Sequence, residues 1–113
     1  MNIIVTGGAG FVGSNLVDRL VSLNHNVLIL DNLATGFESN LNKNAKWINF
    51  DIRQDWMHLP EIKDFNFDVI YHLAALARIQ PSFGRPLETI DVNANGTAKM
   101  LEFARLKKSK VIY

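Results

Sequence analysis

The sequence has 113 residues, of which 48% are hydrophobic and 20% are charged, and its formal net charge is +1. This length predicts a single small globular domain over residues 1–113, and the near-zero charge argues against nucleic acid or an anionic membrane as a partner. The absence of cysteine excludes disulfides and zinc–thiolate sites, and neither a metal site nor a membrane span is expected, because the three histidines are far apart and no apolar run reaches the roughly 20 residues of a spanning helix.

The first half of the chain alternates short apolar runs with one helical pattern. A β-branched run predicts a strand over 3–6, buried on both faces, and apolar residues three or four apart predict a helix over 11–24. A second strand is predicted over 26–31 and a third over 46–50. The intervening segment 32–44 is rich in Asn, Gly, Ser and Thr, so it is expected to be a polar loop that can include a weak helical turn.

The second half begins with a mixed segment, 53–64, that is expected to make one helical turn ended by Pro60. The segment 75–86 contains two prolines and a glycine and is predicted to be a loop, with Pro86 suited to the first turn of the helix that follows. The remaining elements are a fourth strand, a long helix and a fifth strand. They are predicted over 67–73, 87–106 and 110–113.

This alternation of strands and helices predicts an α/β fold. Crossovers between parallel strands are right-handed almost without exception. The expected architecture is therefore a Rossmann-type doubly wound parallel sheet of five strands in the order 3-2-1-4-5.

A glycine-rich loop joins the first predicted strand to the first helix. Gly7, Gly10 and Gly13 fit the spacing of a dinucleotide-binding loop, in which one glycine permits the tight turn, Gly10 lets the backbone approach a pyrophosphate, and Gly13 lets the helix pack closely. The backbone amides of Phe11 and Val12 would then point at the phosphates from the positive end of the helix dipole.

Two carboxylates follow predicted strands and extend this site. Asp31 ends the second strand, where a carboxylate accepts hydrogen bonds from both ribose hydroxyls and repels a 2′-phosphate, so the predicted cofactor is NAD rather than NADP. Asp51 follows the third strand and could accept from the adenine amino group, with Ile52 packing on the ring. His72 at the end of the fourth strand is interpreted as a packed residue rather than a catalytic base.

Five motifs occur in order along the chain. They are Thr6–Ser14 (TGGAGFVGS), Asp31–Leu33 (DNL), Asp51–Arg53 (DIR), His72–Ala75 (HLAA) and Asp91–Thr97 (DVNANGT). With these motifs the chain resembles the extended short-chain dehydrogenase/reductase family, specifically its NAD-dependent sugar-nucleotide epimerases and dehydratases. The resemblance covers essentially the whole chain.

The resemblance implies further contacts with the cofactor. Asn32 would approach the ribose together with Asp31. Leu73, Ala74 and Ala75 would pass along the cofactor, and Asn93, on the long helix, would buttress that loop and the cofactor site.

The motifs Asp31–Leu33, followed by Thr35 and Gly36, and the segment 77–82 are most similar to the UDP-glucose 4-epimerase branch, although Ala77 stands where some of those epimerases carry a lysine. A nucleotide sugar, most simply a UDP-sugar, is therefore the implied substrate, and a homodimer is possible because dimers are common in the family.

The family's reaction needs groups that this sequence does not contain. A tyrosine, made more acidic by a lysine four residues further on, takes a proton from a sugar hydroxyl while NAD takes the hydride. The keto sugar is then reduced on its other face, or loses water first. Tyr71 is followed at that distance by Ala75, and Tyr113 is the last residue. No catalytic residue is assigned, and the chain is expected to stop before the catalytic and substrate-binding part and to be inactive alone.

Two alternatives stay open. The chain could be a stand-alone module that binds or senses NAD without catalysis of its own, or a methyltransferase that uses the same loop for another adenosine ligand. The methyltransferase's adenosine ligand contains no pyrophosphate, so the three glycines before the helix would have no explanation. Because the N-terminus has no charged leader, a cytoplasmic protein is expected.

Overall fold

Five strands form one parallel sheet in a computed structural model that describes residues 1–77 and 79–113, with Ile79 described by its backbone alone. The strands are β1 (Asn2–Thr6), β2 (Asn26–Asp31), β3 (Lys46–Asn49), β4 (Val69–His72) and β5 (Lys110–Ile112). Their order is β3-β2-β1-β4-β5, and every neighbouring pair is parallel. The predicted strand order and the doubly wound sheet are confirmed.

Helices and helical turns connect the strands. They are α1 (Phe11–Ser22), a 3₁₀ turn (Glu38–Asn40), α2 (Pro60–Lys63), α3 (Ile79–Gly84), α4 (Pro86–Ile90), a π-helical turn (Asp91–Gly96) and α5 (Thr97–Lys107). Among the described residues, no helix is long and apolar enough to cross a membrane.

Two predictions that rested on prolines were wrong in the same way. Pro60 begins α2 instead of ending a turn, and the predicted loop 75–86 contains α3, with Pro81 as its third residue. In the first turn of a helix, proline lacks only an N–H that would have no intrahelical partner, so it is tolerated there. Arg78, which that loop prediction also covered, lies outside the described residues.

The long helix predicted over 87–106 is interrupted. It starts with Pro86 as its first residue, as expected, and ends at Lys107, but Asp91–Gly96 forms a π turn between α4 and α5. A close contact accompanies the turn, because a Cβ on Gly96 would lie 2.7 Å from the side-chain Cδ1 of Ile52. Glycine therefore leaves room for the Ile52 side chain where this helix crosses it.

The two faces of the sheet each bury a separate core. On one face, Ile3 and Val5 of β1 pack with Val17 and Leu20 of α1. On the other, Ile4 packs with a cluster of large side chains from the segments beyond β3 and from α5, which includes Phe50, Trp56, Ile62, Met100 and Phe103. Because both faces are covered, consecutive apolar residues of β1 can all be buried, and this is why the strand appears in the sequence as an unbroken apolar run.

Candidate functional site

A pocket opens at the carboxyl ends of β1, β2 and β4, where parallel strands of this order meet their ligands. Five segments of the chain line it: the glycine loop, the residues after β2, those after β3, those after β4, and the stretch of α4 and the π turn that carries Glu88 and Val92. Of the residues predicted from the sequence, the lining contains Gly7, Gly10, Asp31, Asn32, Asp51, Ile52, Leu73, Ala74 and Ala75. Phe11, Val12 and Gly13 begin α1 directly after Gly10, and Asn93 reaches the pocket wall through its hydrogen bonds.

The glycines of the loop meet different steric demands. Gly7 has φ +74°, and a Cβ there would lie 2.9 Å from the backbone nitrogen of Ala74. A Cβ on Gly13 would lie 2.0 Å from the carbonyl oxygen of Gly7, so α1 presses directly on the loop. Gly10 differs, because a Cβ there would meet only the Gly7 oxygen, at 3.4 Å. Gly7 and Gly13 are required by the fold, whereas Gly10 leaves space open at the pocket.

The N-terminus of α1 faces this open space. Its first intrahelical bond runs from the Ser14 amide to the Gly10 oxygen at 2.9 Å, so the amides of Phe11, Val12 and Gly13 have no intrahelical acceptor. Among the described residues, no side chain caps the helix, and its first turn carries no acidic residue. This end of the helix can therefore receive an anion from a ligand.

Asp31 is almost fully buried at the edge of the pocket, with 8% of its surface exposed. One carboxylate oxygen accepts from the Ala9 amide at 2.9 Å, and the other accepts from the Leu33 amide at 2.8 Å. The carboxylate thus ties the glycine loop to the end of β2, a role that the sequence did not reveal. Each oxygen keeps a second lone pair, which a ribose hydroxyl can use.

The segment after β2 packs over the glycine loop instead of extending into solvent. The Asn40 side-chain amide and the Phe37 backbone amide both donate to the Ala9 oxygen, at 3.0 and 3.2 Å. A Cβ on Gly36 would lie 2.9 Å from Ala9. Asn32 is exposed, and its side chain accepts from the Ala34 amide at 3.1 Å. The polar composition indicates a loop but not where it packs, because the partners lie about 30 residues away in sequence.

Asp51 and Ile52 meet the pocket in different ways. Hydrogen bonding by the Arg53 side chain is the main cause that lowers the pKa of the Asp51 carboxyl below its ordinary value, so the group is anionic at neutral pH. Ile52 is only 4% exposed, and its side chain belongs to the core beside Gly96. Little of that side chain is left to pack on an adenine ring, the role expected from the sequence.

The backbone after β4 is held from two sides. The Thr6 hydroxyl oxygen accepts from the amides of Leu73 and Ala74, both at 3.1 Å. Asn93 forms a pair of bonds with Leu76, accepting from its amide at 2.8 Å and donating to its oxygen at 3.0 Å. Asn93 thus supports this loop, as the family resemblance implies.

His72 joins these two supports and is buried, in agreement with its interpretation as a packed residue. Its Nδ1 lies 2.9 Å from the Thr6 hydroxyl, and its Nε2 lies 2.9 Å from the Thr97 hydroxyl. The Thr6 hydroxyl oxygen already accepts from two amides, so its own proton is donated to Nδ1 of His72. The Thr97 hydroxyl donates to the backbone oxygen of Asn93 and accepts from Nε2–H of His72. The bonds therefore select the neutral tautomer with the proton on Nε2.

This arrangement predicts a pH-dependent stability. Burial lowers the pKa of His72 from its ordinary value of 6.5, so the unfolded chain takes up this proton at a higher pH than the folded one. The stabilisation is complete above that ordinary pKa and is lost as pH falls towards the folded value.

We expect the melting temperature to fall between pH 7.5 and pH 5.5, and to fall less in His72→Asn. The exposed His58 offers a control, since His58→Asn should keep the wild-type slope. Equal slopes in all three proteins would contradict the prediction.

Comparison with known proteins gives consistent matches. Residues 3–113 match the model of the NAD-dependent epimerase/dehydratase family. UDP-glucuronic acid decarboxylase 4 of Arabidopsis thaliana is 42% identical, covering 93% of this chain and 23% of that protein. UDP-glucose 4-epimerase of Streptomyces lividans is 38% identical, covering 90% and 31%. The crystal structure of Thermus thermophilus UDP-glucose 4-epimerase in complex with NAD superposes with a TM-score of 0.92 at 33% identity, covering 100% of this chain and 37% of that one. The chain thus spans about a third or less of the length of these curated relatives.

Proposed function

The chain belongs to the NAD-dependent epimerase/dehydratase family, and on that premise we propose that it is the N-terminal, NAD-binding portion of an enzyme that converts a nucleotide sugar. The observation that carries the proposal is the open space at Gly10. A side chain there would project where nothing but the Gly7 oxygen lies within 4 Å, directly beside the uncapped end of α1.

The residues around this space fit each part of NAD. The pyrophosphate would lie at Gly10 and the amides of Phe11 and Val12, where the helix end favours an anion. Asp31, aided by Asn32, would bind the adenosine ribose through the unused lone pairs of its carboxylate.

The rest of the cofactor would follow the other two walls of the pocket. Asp51 would accept from the adenine amino group, with the Ile52 segment beside the ring. Leu73, Ala74 and Ala75 would line the path of the nicotinamide half, on the loop that Thr6 and Asn93 hold. When bound, NAD supplies an acceptor that takes a hydride from the substrate and returns it.

The relatives guide the choice of substrate. The reported relatives are named for reactions on UDP-glucose and on UDP-glucuronic acid, so a UDP-sugar is the proposed substrate of the whole protein, which is proposed to be an epimerase or a dehydratase. No residue of the 113-residue chain is assigned a catalytic role. The alternative of a module without catalysis gains no support from these relatives. Homodimerisation and a cytoplasmic location stay predictions.

Replacing Gly10 by valine tests the proposed site. Gly10 has φ −80° and ψ 176°, which valine adopts readily, so the melting temperature should change by no more than a few degrees. The added side chain fills the space proposed for the pyrophosphate, and we expect NAD affinity to fall at least about tenfold. Isothermal titration calorimetry with NAD measures this directly.

A matched control is available at Gly84. It is exposed, and a Cβ there would meet nothing within 4 Å. Gly84→Val should bind NAD like the wild type. Undiminished NAD affinity in a folded Gly10→Val protein would refute the proposed site.

A further inference from the structure

Arg53 bridges two carboxylates at the adenine end of the proposed NAD pocket. Its Nη2 lies 2.7 Å from Oδ2 of Asp51, and its Nη1 lies 3.3 Å from Oδ2 of Asp91, the first residue of the π turn. The Arg53 and Asp51 side chains are 33% and 26% exposed, so water screens this pair less than an ion pair on the open surface.

Several contacts hold the arginine in this place. The Asp91 carboxylate, which accepts from Nη1 of Arg53, also accepts from the side-chain amide of Asn95 at 2.9 Å through Oδ1. The Lys99 ammonium donates to the backbone oxygen of Arg53. An arginine fixed at both its backbone and its tip loses little freedom when it orients a neighbour.

The hydrogen bonds also distinguish the two oxygens of Asp51. Oδ1 accepts from the Arg53 backbone amide at 2.9 Å and from Nε at 3.0 Å, which fills both of its lone pairs. Oδ2 accepts from Nη2 at 2.7 Å and shares Nε only at 3.2 Å. Oδ2 is therefore the oxygen with capacity to accept one more donor.

We propose that Arg53 is a positioning residue for base recognition, which fixes the Asp51 carboxylate so that Oδ2 receives the amino group of adenine. The inference rests on the proposed function and deepens it, since it assigns the selectivity for the base to a pair of residues. The same arginine contacts the π turn through Asp91, two residues before Asn93, which holds the loop after β4.

The chemistry of the base provides the test. Nicotinamide hypoxanthine dinucleotide differs from NAD at position 6 of the base, where a carbonyl oxygen replaces the amino group, and at the adjoining N1, which gains a proton. A carboxylate oxygen held opposite position 6 accepts from the amino group but repels the carbonyl, so the ratio of the two dissociation constants reports whether Asp51 is held there. A variant that merely loosened the pocket would weaken both ligands alike and leave this ratio unchanged.

We expect the full protein to bind NAD at least about tenfold more tightly than the hypoxanthine analogue, as for one hydrogen bond to a charged group. In Arg53→Gln, the ratio should fall to within about threefold of unity. Arg53→Lys keeps the charge but not the bidentate hydrogen bonding of the guanidinium, so it should retain part of the wild-type ratio. In Asp51→Asn, the ratio should also collapse, and adding Arg53→Gln should lower it no further.

Arg105 provides the matched control, because it makes a similar two-point contact with Glu102 on the exposed side of α5. Arg105→Gln should keep the wild-type ratio. A wild-type ratio in Arg53→Gln, whatever its effect on NAD affinity itself, would overturn the role of Arg53 and leave the proposed function standing. Failure of the wild-type protein to bind NAD would overturn the proposed function, and this inference with it.

Discussion

Gly13→Ala is expected to destabilise the protein by about 3 kcal/mol or more, at the upper end of the range for overpacked sites. The new Cβ would lie 2.0 Å from the Gly7 oxygen and 3.0 Å from the Cα of Gly8. Both are backbone atoms, so no side chain can rotate away, and either α1 must move off the sheet or the loop must open. Either movement also displaces the amides proposed to bind the pyrophosphate.

Thermal unfolding followed by circular dichroism measures this effect. The control is Gly84→Ala, which adds the same methyl group where a Cβ meets nothing within 4 Å, and which should leave the melting temperature within a few degrees of wild type. If Gly13→Ala unfolds at the same temperature as the control, the close packing of α1 on the loop is wrong.

Asp31→Ala should alter both stability and the choice of cofactor. The buried amide of Ala9 and the part-buried amide of Leu33 would lose their acceptor, at a cost of about 1–3 kcal/mol for each group left unpaired. Removing the carboxylate also removes its repulsion of a 2′-phosphate. We therefore expect NAD affinity to fall and the preference for NAD over NADP to drop at least about tenfold.

Calorimetric titration with NAD and with NADP gives the preference, and chemical denaturation gives the stability. Asp31→Asn retains an oxygen that can accept one of the two amides, so it should recover part of the stability without the charge that opposes NADP. Replacement of the exposed Asp64 by alanine should leave both quantities unchanged. A preference for NAD that survives in Asp31→Ala would contradict the role of Asp31 in cofactor choice.

The sheet could be predicted because its cause is local. Each strand appears as a short apolar run, and the connections between parallel strands have one hand, so the order follows from the alternation. The helices at Pro60 and Pro81 were not predicted, because proline interrupts the interior of a helix but also fits its first turn. The sequence alone could not say on which side of each proline the helix lies.

The candidate site also has a part that could be predicted from local sequence and a part that could not. The glycine loop and Asp31 could be predicted because their spacing is set by one strand–loop–helix unit. The bond from Asp31 to Ala9, and the chain from Thr6 through His72 to Thr97, join residues 22 to 66 positions apart. No pattern along the sequence encodes those pairs, since they depend on which strand ends become neighbours in the sheet.

The contact between Gly96 and Ile52 has a consequence for how this sequence can change over evolutionary time. The two positions share a single volume, because a side chain at residue 96 would occupy the space that the Ile52 side chain now fills. Alanine at residue 96 would require the Ile52 side chain to move aside or residue 52 to become smaller, so the two positions are expected to change together. Residue 52 adjoins the proposed adenine site, so a substitution at residue 96 of the helix would also change the wall of the cofactor pocket.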